Sequence, residues 1–371
     1  MSMWTRQASA SIIGLVVQHI SLVLLIRYSK ESSNKEGTGT GTYLISWAVL
    51  LSEFIKVLLN AAILACCQHC DDHDLRGKDN NKCSVWRDIF RYQPYAMAVP
   101  AVLYLIQNNL LFLAIQNLPV PIFQVLTQGK HLCTALCTRW VLQRRFSPSQ
   151  CTAVWILSVG LALAHLSPTL TKQDKDTKAA EATDYTHSVY AGTRWVGILA
   201  VIISCGTSGF AGVYFERVLK GGNNNNDDDC CCNNNNNKPH GLSIYIINIQ
   251  LALWSMLLGS VSLFKDWSSI QRHGFFQGFH ATVWAVIVCQ ALSGLVVSYV
   301  IKHADAMWKG LAVSMADIGA ILLSILFWDD GQWMRRQMDW QFWTGVLLVF
   351  GSVIMYSTCH RVRCSLLPYR S

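Results

Sequence analysis

Residues 104–130 read YLIQNNLLFLAIQNLPVPIFQVLTQGK, and this stretch decides the fold. Two apolar segments follow each other here, and only residues 117–119 lie between them. Such a tight connection between two apolar segments predicts a pair of antiparallel helices. Lys130 is the one charged residue of the stretch, so the second helix carries an ammonium group within apolar sequence.

The chain as a whole is apolar. Of its 371 residues, 52% are hydrophobic and 14% are charged, whereas about 25% are charged in an average soluble domain. This composition argues against a soluble enzyme. The net charge of +8 does not indicate a nucleic-acid binder, because the Lys and Arg residues lie between the apolar segments, where a membrane protein uses them for orientation.

These apolar segments predict an all-α membrane protein, because each is long enough to cross the hydrocarbon core of a bilayer. We predict ten transmembrane helices in one polytopic domain that covers residues 1–371. The predicted spans are residues 11–29, 43–67, 93–116, 119–142, 148–167, 195–219, 242–264, 279–302, 306–328 and 340–360. Lys and Arg are slightly more numerous on the side of both termini, which predicts that both termini are cytosolic.

The longest connections, near 68–92, 168–194 and 220–241, are too short to fold into a catalytic domain. Residues 221–237 read GGNNNNDDDCCCNNNNN and predict a disordered loop, because they contain almost no apolar side chains to bury. The polar segment 168–194 is likewise predicted to be a solvated loop. Any function must therefore lie in the helix bundle.

A cluster of cysteine and histidine residues follows the second span. It consists of Cys66, Cys67, His69, Cys70 and His73, with Cys83 further on. The spacing loosely permits zinc, but clean C-x-x-C arms are missing, so we expect no metal site. Juxtamembrane thiols, free or acylated, are the alternative interpretation.

Charged side chains inside the predicted spans are candidates for function, because each costs roughly 2.5–3.5 kcal/mol to insert. Lys130 and Lys309 have no acidic residue in the helical turn that follows them. An ammonium group in this position needs an anion, which is either a carboxylate of another helix or a phosphate of a ligand. We favour the phosphate.

Other charged residues in the spans have neighbours of opposite charge. Glu53 and Lys56 are three residues apart and share a helical face, so they predict either an internal ion pair or a role at the substrate. Glu216 is next to Arg217 at the end of the sixth span, and we predict that these two form an interfacial ion pair.

Polar side chains form stripes on the third and fourth spans. Tyr104, Gln107 and Asn108 share one face of the third span, where their amides suit interhelical hydrogen bonds or the edge of a planar base. The stripe of the fourth span consists of Gln124, Thr127, Gln128 and His131. That stripe must face the interior of the bundle.

The chain shows signs of an internal duplication. The eighth and ninth spans are joined as tightly, at 303–305, as the third and fourth, and the second helix of each pair carries Lys130 or Lys309. Halves of five helices have inverted topology, which is typical of transporters with a binding site at the repeat interface. There the two lysines would form a phosphate clamp. Small residues that favour close helix packing are Gly206, Ser208, Gly209, Gly212, Ser293 and Gly294.

Several segments resemble Golgi nucleotide-sugar transporters of the CMP-sialic acid, UDP-galactose and UDP-N-acetylglucosamine branch of the drug/metabolite transporter superfamily. These segments are residues 104–130, SGFAGVYFERVLK at 208–220, NIQL at 248–251, GFFQGF at 274–279 and KHADAMWKGLAVS at 302–314. The resemblance extends, in order and spacing, over roughly residues 10–360 apart from the loops.

This resemblance implies the drug/metabolite transporter fold, with ten helices in a five-plus-five inverted repeat. It implies a Golgi antiporter that exchanges a cytosolic nucleotide sugar for a luminal nucleoside monophosphate, without enzymatic activity, cofactor or metal. Tyr104 and Asn108 would contact the pyrimidine base, Lys130 and Lys309 would hold the phosphates, and Asn248 would lie nearby. The predicted substrate-binding residues are Tyr104, Gln107, Asn108, Gln124, Thr127, Gln128, Lys130, Asn248, Ser293 and Lys309.

The chain departs from the family pattern in ways that leave the sugar open. The differing residues are Pro119, Pro121, Thr127 and Gly129 near the fourth-span lysine, and His303 and Ala306 in the ninth-span motif. Asp317 stands where the family is usually uncharged, about 12 Å along the helix from Lys309, so it either tunes that lysine or pairs elsewhere.

UDP-galactose or UDP-N-acetylglucosamine is the favoured substrate, and CMP-sialic acid is the alternative. Two other classes of function compete with transport, an integral-membrane glycosyltransferase and a non-transporting scaffold for Golgi glycosyltransferases. Besides membrane lipid and the nucleotides, Golgi glycosyltransferases and a second copy of the chain are the candidate partners.

Overall fold

The computed structural model describes residues 3–35, 45–74, 94–144, 146–176, 187–221, 244–263, 270–271, 274–276, 279–327 and 340–366. The regular secondary structure of these residues is helical, which confirms the predicted all-α class. The helices are α1 (Met3–Lys35), α2 (Ile45–Asp74), α3 (Ala98–Asn117), α4 (Val120–Thr127), α5 (Gly129–Val141), α6 (Pro148–Asp176), α7 (His187–Gly221), α8 (Ile244–Leu263), α9 (Ala281–His303), α10 (Ala306–Phe327) and α11 (Trp340–Leu366). A 3-10 turn, Pro94–Met97, precedes α3.

Within the described residues, 8 helices contain a segment long and apolar enough to cross a membrane. These segments are Gln7–Ser29, Ser46–Cys66, Tyr95–Asn117, Arg194–Lys220, Ile244–Val261, Ala281–His303, Ala306–Ser324 and Trp340–Cys359. The chain is therefore a multi-pass membrane protein. The fourth and fifth predicted spans are not among these segments, so the predicted number of ten spans is not confirmed.

The predicted fourth span, 119–142, contains two helices instead of one, and whether this region crosses a membrane stays a prediction. It is divided into α4 and α5, with Gln128 between them. The Gln128 N–H donates to Val125 O at 3.1 Å, and the His131 N–H donates to Gln128 O at 3.3 Å. These are the i to i−3 bonds of a tighter turn. With 8 and 13 residues, neither piece reaches the ~20 residues that a membrane-crossing helix needs.

The predicted loop at 168–194 is mostly helical in the structure. Helix α6 continues to Asp176, and α7 already begins at His187. The end of α6 reads TKQDKD, and Lys, Gln and other straight-chain residues lose little entropy in a helix that extends beyond the membrane. Of the loop predicted at 221–237, residues 222–237 lie outside the part of the chain that the structure describes.

The chain forms two compact units. The first unit contains residues 1–105 and 214–305, and thus α1, α2, α8 and α9 with parts of α3 and α7. In it α1 packs against α9, and α2 packs against α8 and α9. Its core includes Met97, Ile247 and Ile301, which are almost fully buried.

The second unit contains residues 106–213 and 306–371, and thus α4, α5, α6, α10 and α11 with the remainder of α3 and α7. Here α6 packs along α11, and α5 packs against both α6 and α10. Apolar side chains of α6, α10 and α11 form the core of this unit, among them Leu157, Ile318 and Phe342. The two lysines singled out in the sequence both belong to this unit.

Helices α6 and α11 are in close contact where two glycines, Gly160 and Gly345, face each other. A Cβ atom on Gly345 would lie 2.6 Å from the carbonyl oxygen of Gly160 and 2.7 Å from the backbone nitrogen of Ala164. Both neighbours are backbone atoms, so they cannot move away as the end of a side chain could. The small residues therefore set the distance between these helices, as small residues do in membrane bundles.

We expect Gly345→Ala to destabilise the protein by about 1–3 kcal/mol, and Gly345→Leu to prevent the packing of α6 on α11. Thermal unfolding of the purified protein in detergent, followed by tryptophan fluorescence, measures the loss. Gly351→Ala is the matched control, because Gly351 lies on the same helix and a Cβ there meets nothing within 4 Å. Equal midpoints for Gly345→Ala and Gly351→Ala would contradict the role of this contact.

Candidate functional site

Lys130 and Lys309 each lie in the first turn of a helix of the second unit. Lys130 follows the break at Gln128 and is the second residue of α5, and Lys309 is the fourth residue of α10. Both side chains are half-buried. Among the described residues, no carboxylate forms an ion pair with either lysine. Two ammonium groups near the positive ends of helix dipoles make this region favourable for an anion.

The break between α4 and α5 frees backbone carbonyl groups from the helical ladder. The buried Cys205 thiol of α7 donates to Leu126 O at 3.7 Å and to Thr127 O at 3.8 Å. The Thr127 hydroxyl donates to Gln124 O at 2.8 Å. Helix α7 packs closely on α5 at Gly209, where a Cβ would lie 2.8 Å from the backbone nitrogen of Thr134. Irregular backbone at membrane depth thus finds partners inside the protein, as it must.

His131 connects α5 to α10. Its side chain is buried, and its Nε2 lies 3.2 Å from the hydroxyl oxygen of Ser314. Its Nδ1 lies against Gly310, where a Cβ atom would approach it to 3.2 Å. The half-buried Asp317, one turn beyond Ser314, interacts electrostatically with His131 and with His165 of α6. In the sequence, His131 stands out only as a member of a polar stripe.

The polar side chains of α3 differ in their surroundings. Gln107 has a buried Oε1 atom without a hydrogen-bond partner among the described residues. Asn108 is exposed, and Tyr104 is half-buried one turn before it on the same face of the helix. Gln128, at the break of the neighbouring hairpin helix, is buried. An unsatisfied amide oxygen and an exposed amide are groups that a polar ligand can use.

In the first unit, Asn248 of α8 accepts a hydrogen bond from Ser298 of α9 at 2.5 Å. Asn248 is buried, and its Nδ2 has no partner among the described residues. Ser298 lies one turn after Gly294, and the half-buried Ser293 precedes that glycine. These small residues leave room on α9 for a long side chain of α2.

That side chain belongs to Lys56, whose Cδ and Cε atoms lie 2.8 Å from where a Cβ on Gly294 would be. The Nζ atom of Lys56 lies 2.7 Å from Glu53 Oε1, and both side chains are 16% exposed. The pair is thus mostly buried, with its charge balanced inside α2. Of the glycines predicted to favour close packing on α7, Gly209 makes such a contact, whereas Gly206 and Gly212 have nothing within 4 Å.

The predicted ion pair between Glu216 and Arg217 is wrong. Glu216 is fully buried, and its carboxylate lies 2.8 Å from Nζ of Lys220, whereas Arg217 is exposed. Adjacent residues of a helix point in different directions, but residues four apart share a face. Lys220 also donates to Asp305 Oδ1 at 2.7 Å and to Ala304 O at 2.6 Å. The spacing of four residues between Glu216 and Lys220 is the sequence signal for the pair that forms.

The structure distributes the predicted substrate residues over both units. The second unit holds Gln107, Asn108, Gln124, Thr127, Gln128, Lys130 and Lys309, and the first holds Tyr104, Asn248 and Ser293. The roles of these residues, and the position of the site at a repeat interface, stay predictions.

Within the described residues, no group of three or more His, Cys, Asp or Glu side chains could hold a metal ion. Cys66 is a free, exposed thiol. The other side chains of the cysteine and histidine cluster, from Cys67 to Cys83, lie outside the described part of the chain.

The chain matches the family model described as nucleotide-sugar transporter over residues 5–226 and 236–357. The gap in the match falls within the Asn-, Asp- and Cys-rich segment.

Individual relatives cover most of the chain. It is 33% identical over 352 residues to the UDP-N-acetylglucosamine transporter of Homo sapiens, with 92% of each protein covered. Identity to the protein of the same name in Rattus norvegicus is 32% over 346 residues, again with 92% of each covered. The UDP-galactose translocator of Bos taurus is 31% identical over 351 residues, which are 94% of this chain and 77% of that protein.

Proposed function

Because the chain belongs to the nucleotide-sugar transporter family, we propose that it exchanges a pyrimidine nucleotide sugar for a nucleoside monophosphate across the Golgi membrane. UDP-N-acetylglucosamine or UDP-galactose is the proposed cargo, since relatives at 31–33% identity carry these names. CMP-sialic acid remains the alternative cargo. Membership in a transporter family also argues against the integral-membrane glycosyltransferase.

The single observation that carries the proposal is the pair Lys130 and Lys309. Two half-buried ammonium groups in one compact unit have no carboxylate partner among the described residues. Leaving a charge unpaired in a membrane protein is costly, so such residues serve a ligand or an ion pathway. The nucleotide sugars and the monophosphate share the phosphate that these groups suit.

In this proposal Tyr104 and Asn108 contact the base, together with the free amide oxygen of Gln107. Asn248 and Ser293 are further proposed substrate-binding residues. No bond is made or broken, and the site opens alternately to the two sides of the membrane. Both termini are proposed to be cytosolic, and Golgi glycosyltransferases consume the imported nucleotide sugar.

The packing of the helices supports the proposed five-plus-five repeat. In the first unit α2 packs against α8, which correspond to the second and seventh predicted spans. In the second unit α5 packs against α10 and α6 against α11, corresponding to spans four and nine and to spans five and ten. These three pairs each join a span to the one five places later, as an inverted repeat of five helices would, whereas α1 against α9 joins the first and eighth spans.

Counterflow in proteoliposomes tests the function. Vesicles that contain the purified protein are preloaded with UMP, CMP or buffer and then given radiolabelled UDP-N-acetylglucosamine, UDP-galactose or CMP-sialic acid. We expect internal UMP to accelerate uptake of a UDP sugar by about tenfold or more over buffer, which reports exchange. Stimulation by CMP alone would replace the uracil assignment by cytosine. If no nucleotide accelerates uptake of any sugar, the proposed exchange is wrong and the scaffold alternative is supported.

A further inference from the structure

The contact between α5 and α10 lies immediately beside both lysines. His131 follows Lys130 in α5, and Gly310 follows Lys309 in α10. The His131 ring lies on Gly310, where a Cβ would come within 3.2 Å of Nδ1. Any side chain at position 310 would therefore displace the ring or separate the helices. This contact therefore limits how the two helix starts can move relative to each other.

The hydrogen bond between His131 and Ser314 joins α5 to α10 within the second unit. The Ser314 hydroxyl oxygen lies 3.2 Å from His131 Nε2 and 2.9 Å from Gly310 O. The imidazole donates or accepts in this bond according to which ring nitrogen carries the proton. In either case the buried ring is held against the turn of α10 that runs from Gly310 to Ser314.

Helix α5 needs a tertiary contact of this kind. The break at Gln128 removes the regular ladder that would otherwise hold the first turn of α5 in line with α4. Cys205 bonds the end of α4, at the carbonyl oxygens of Leu126 and Thr127. The bond from His131 to Ser314 holds the start of α5, where Lys130 lies.

We propose that His131 is a positioning residue that sets the separation of Lys130 and Lys309 and thereby favours ligands with two phosphate groups. A diphosphate needs both ammonium groups at one spacing, whereas a monophosphate is held by either alone. Pre-organised groups bind a ligand more tightly because less ordering is needed on binding. The inference rests on the proposed function, and it adds the reason why this site distinguishes a nucleotide sugar with a diphosphate from a monophosphate.

The test compares two ligands on the purified protein. Dissociation constants for UDP-N-acetylglucosamine and UMP are measured by calorimetry for the wild type, His131→Leu and Ser314→Ala. Both variants are expected to weaken UDP-N-acetylglucosamine by about tenfold, and UMP by less than about threefold. His131→Gln is expected to restore most of the affinity for the diphosphate, because its amide nitrogen can donate from nearly the position of Nε2.

Thr138→Val is the matched control. Thr138 is buried on the same helix, but its hydroxyl donates only locally, to Thr134 O at 2.8 Å. This variant is expected to leave the ratio of the two dissociation constants unchanged. Ser314→Ala removes a single oxygen atom, so it keeps the test valid where His131→Leu does not fold.

Two results would overturn the inference: equal weakening of both ligands by His131→Leu and Ser314→Ala, or weakening of neither. Failure of the wild type to bind UMP, CMP, UDP-N-acetylglucosamine, UDP-galactose and CMP-sialic acid would instead overturn the proposed function, so the two failures are distinguishable.

Discussion

Lys130→Ala and Lys309→Ala are each expected to reduce nucleotide-sugar counterflow by about 100-fold or more, while the protein still reaches the membrane. A desolvated charge that binds a phosphate is worth several kcal/mol, and about 2.7 kcal/mol corresponds to 100-fold in affinity. Folding is expected to survive, because neither ammonium group has a carboxylate partner among the described residues that its removal would leave unpaired. Initial rates of UDP-sugar uptake into UMP-loaded proteoliposomes measure the effect.

Two control variants separate a specific loss from a general one. Arg194→Ala removes an exposed cation near the start of the membrane segment of α7 and is expected to transport normally. Lys130→Arg keeps the charge but changes the donor geometry, so it should retain part of the activity. Normal uptake by either alanine variant of the two lysines would show that the phosphates bind elsewhere.

Lys220→Met is expected to cost about 3–5 kcal/mol of stability, because it removes the cation from a buried ionic network. The lysine satisfies Glu216, which is 0% exposed, and Asp305, and it also caps the carbonyl of Ala304. Both carboxylates belong to the same compact unit as the lysine, at the end of α7 and after α9. The thermal midpoint in detergent should fall sharply.

Arg217→Met controls for the loss of a positive charge from the same turn of α7, since Arg217 is exposed. Adding Glu216→Gln to Lys220→Met is expected to recover part of the loss, because an amide tolerates the missing cation better than a carboxylate. A midpoint for Lys220→Met that equals that of Arg217→Met would show that the network contributes nothing to stability.

The all-α membrane class was predictable because the length of an apolar segment is a strong signal for a membrane-spanning helix. The tight connections at 117–119 and 303–305 also predicted where helices turn back, and α3 ends at Asn117 while α9 ends at His303. Helix ends were less predictable. Helix α6 continues past its apolar part through polar residues. The helix propensity of these residues differs little from that of the apolar residues before them, so it does not mark where the helix ends.

The break at Gln128 was not predictable from the pattern. Apolar spacing continues through residues 119–142, and the change from i−4 to i−3 hydrogen bonds costs little by itself. The carbonyl oxygen of Thr127 at this break receives a hydrogen bond from the thiol of Cys205, which is 78 residues away in sequence. Lys130 and Lys309 were identifiable because a charged residue within an apolar segment is costly in a membrane and therefore indicates a function. Their neighbour His131 was not, because its partner Ser314 lies 183 residues away.

Lys130 and Lys309 belong to the same compact unit, and this has a thermodynamic consequence for the proposed exchange. In the proposal above, their spacing is a property of one packed body and is held at the contact of His131 with Gly310. A pair of fixed spacing has the same intrinsic affinity for phosphate whether it faces the cytosol or the lumen. A ligand that binds the cytosol-facing and lumen-facing conformations equally well does not shift the equilibrium between them. The direction of net exchange is then set by the nucleotide concentrations on the two sides, so a luminal reaction that produces the nucleoside monophosphate would also favour import of the nucleotide sugar.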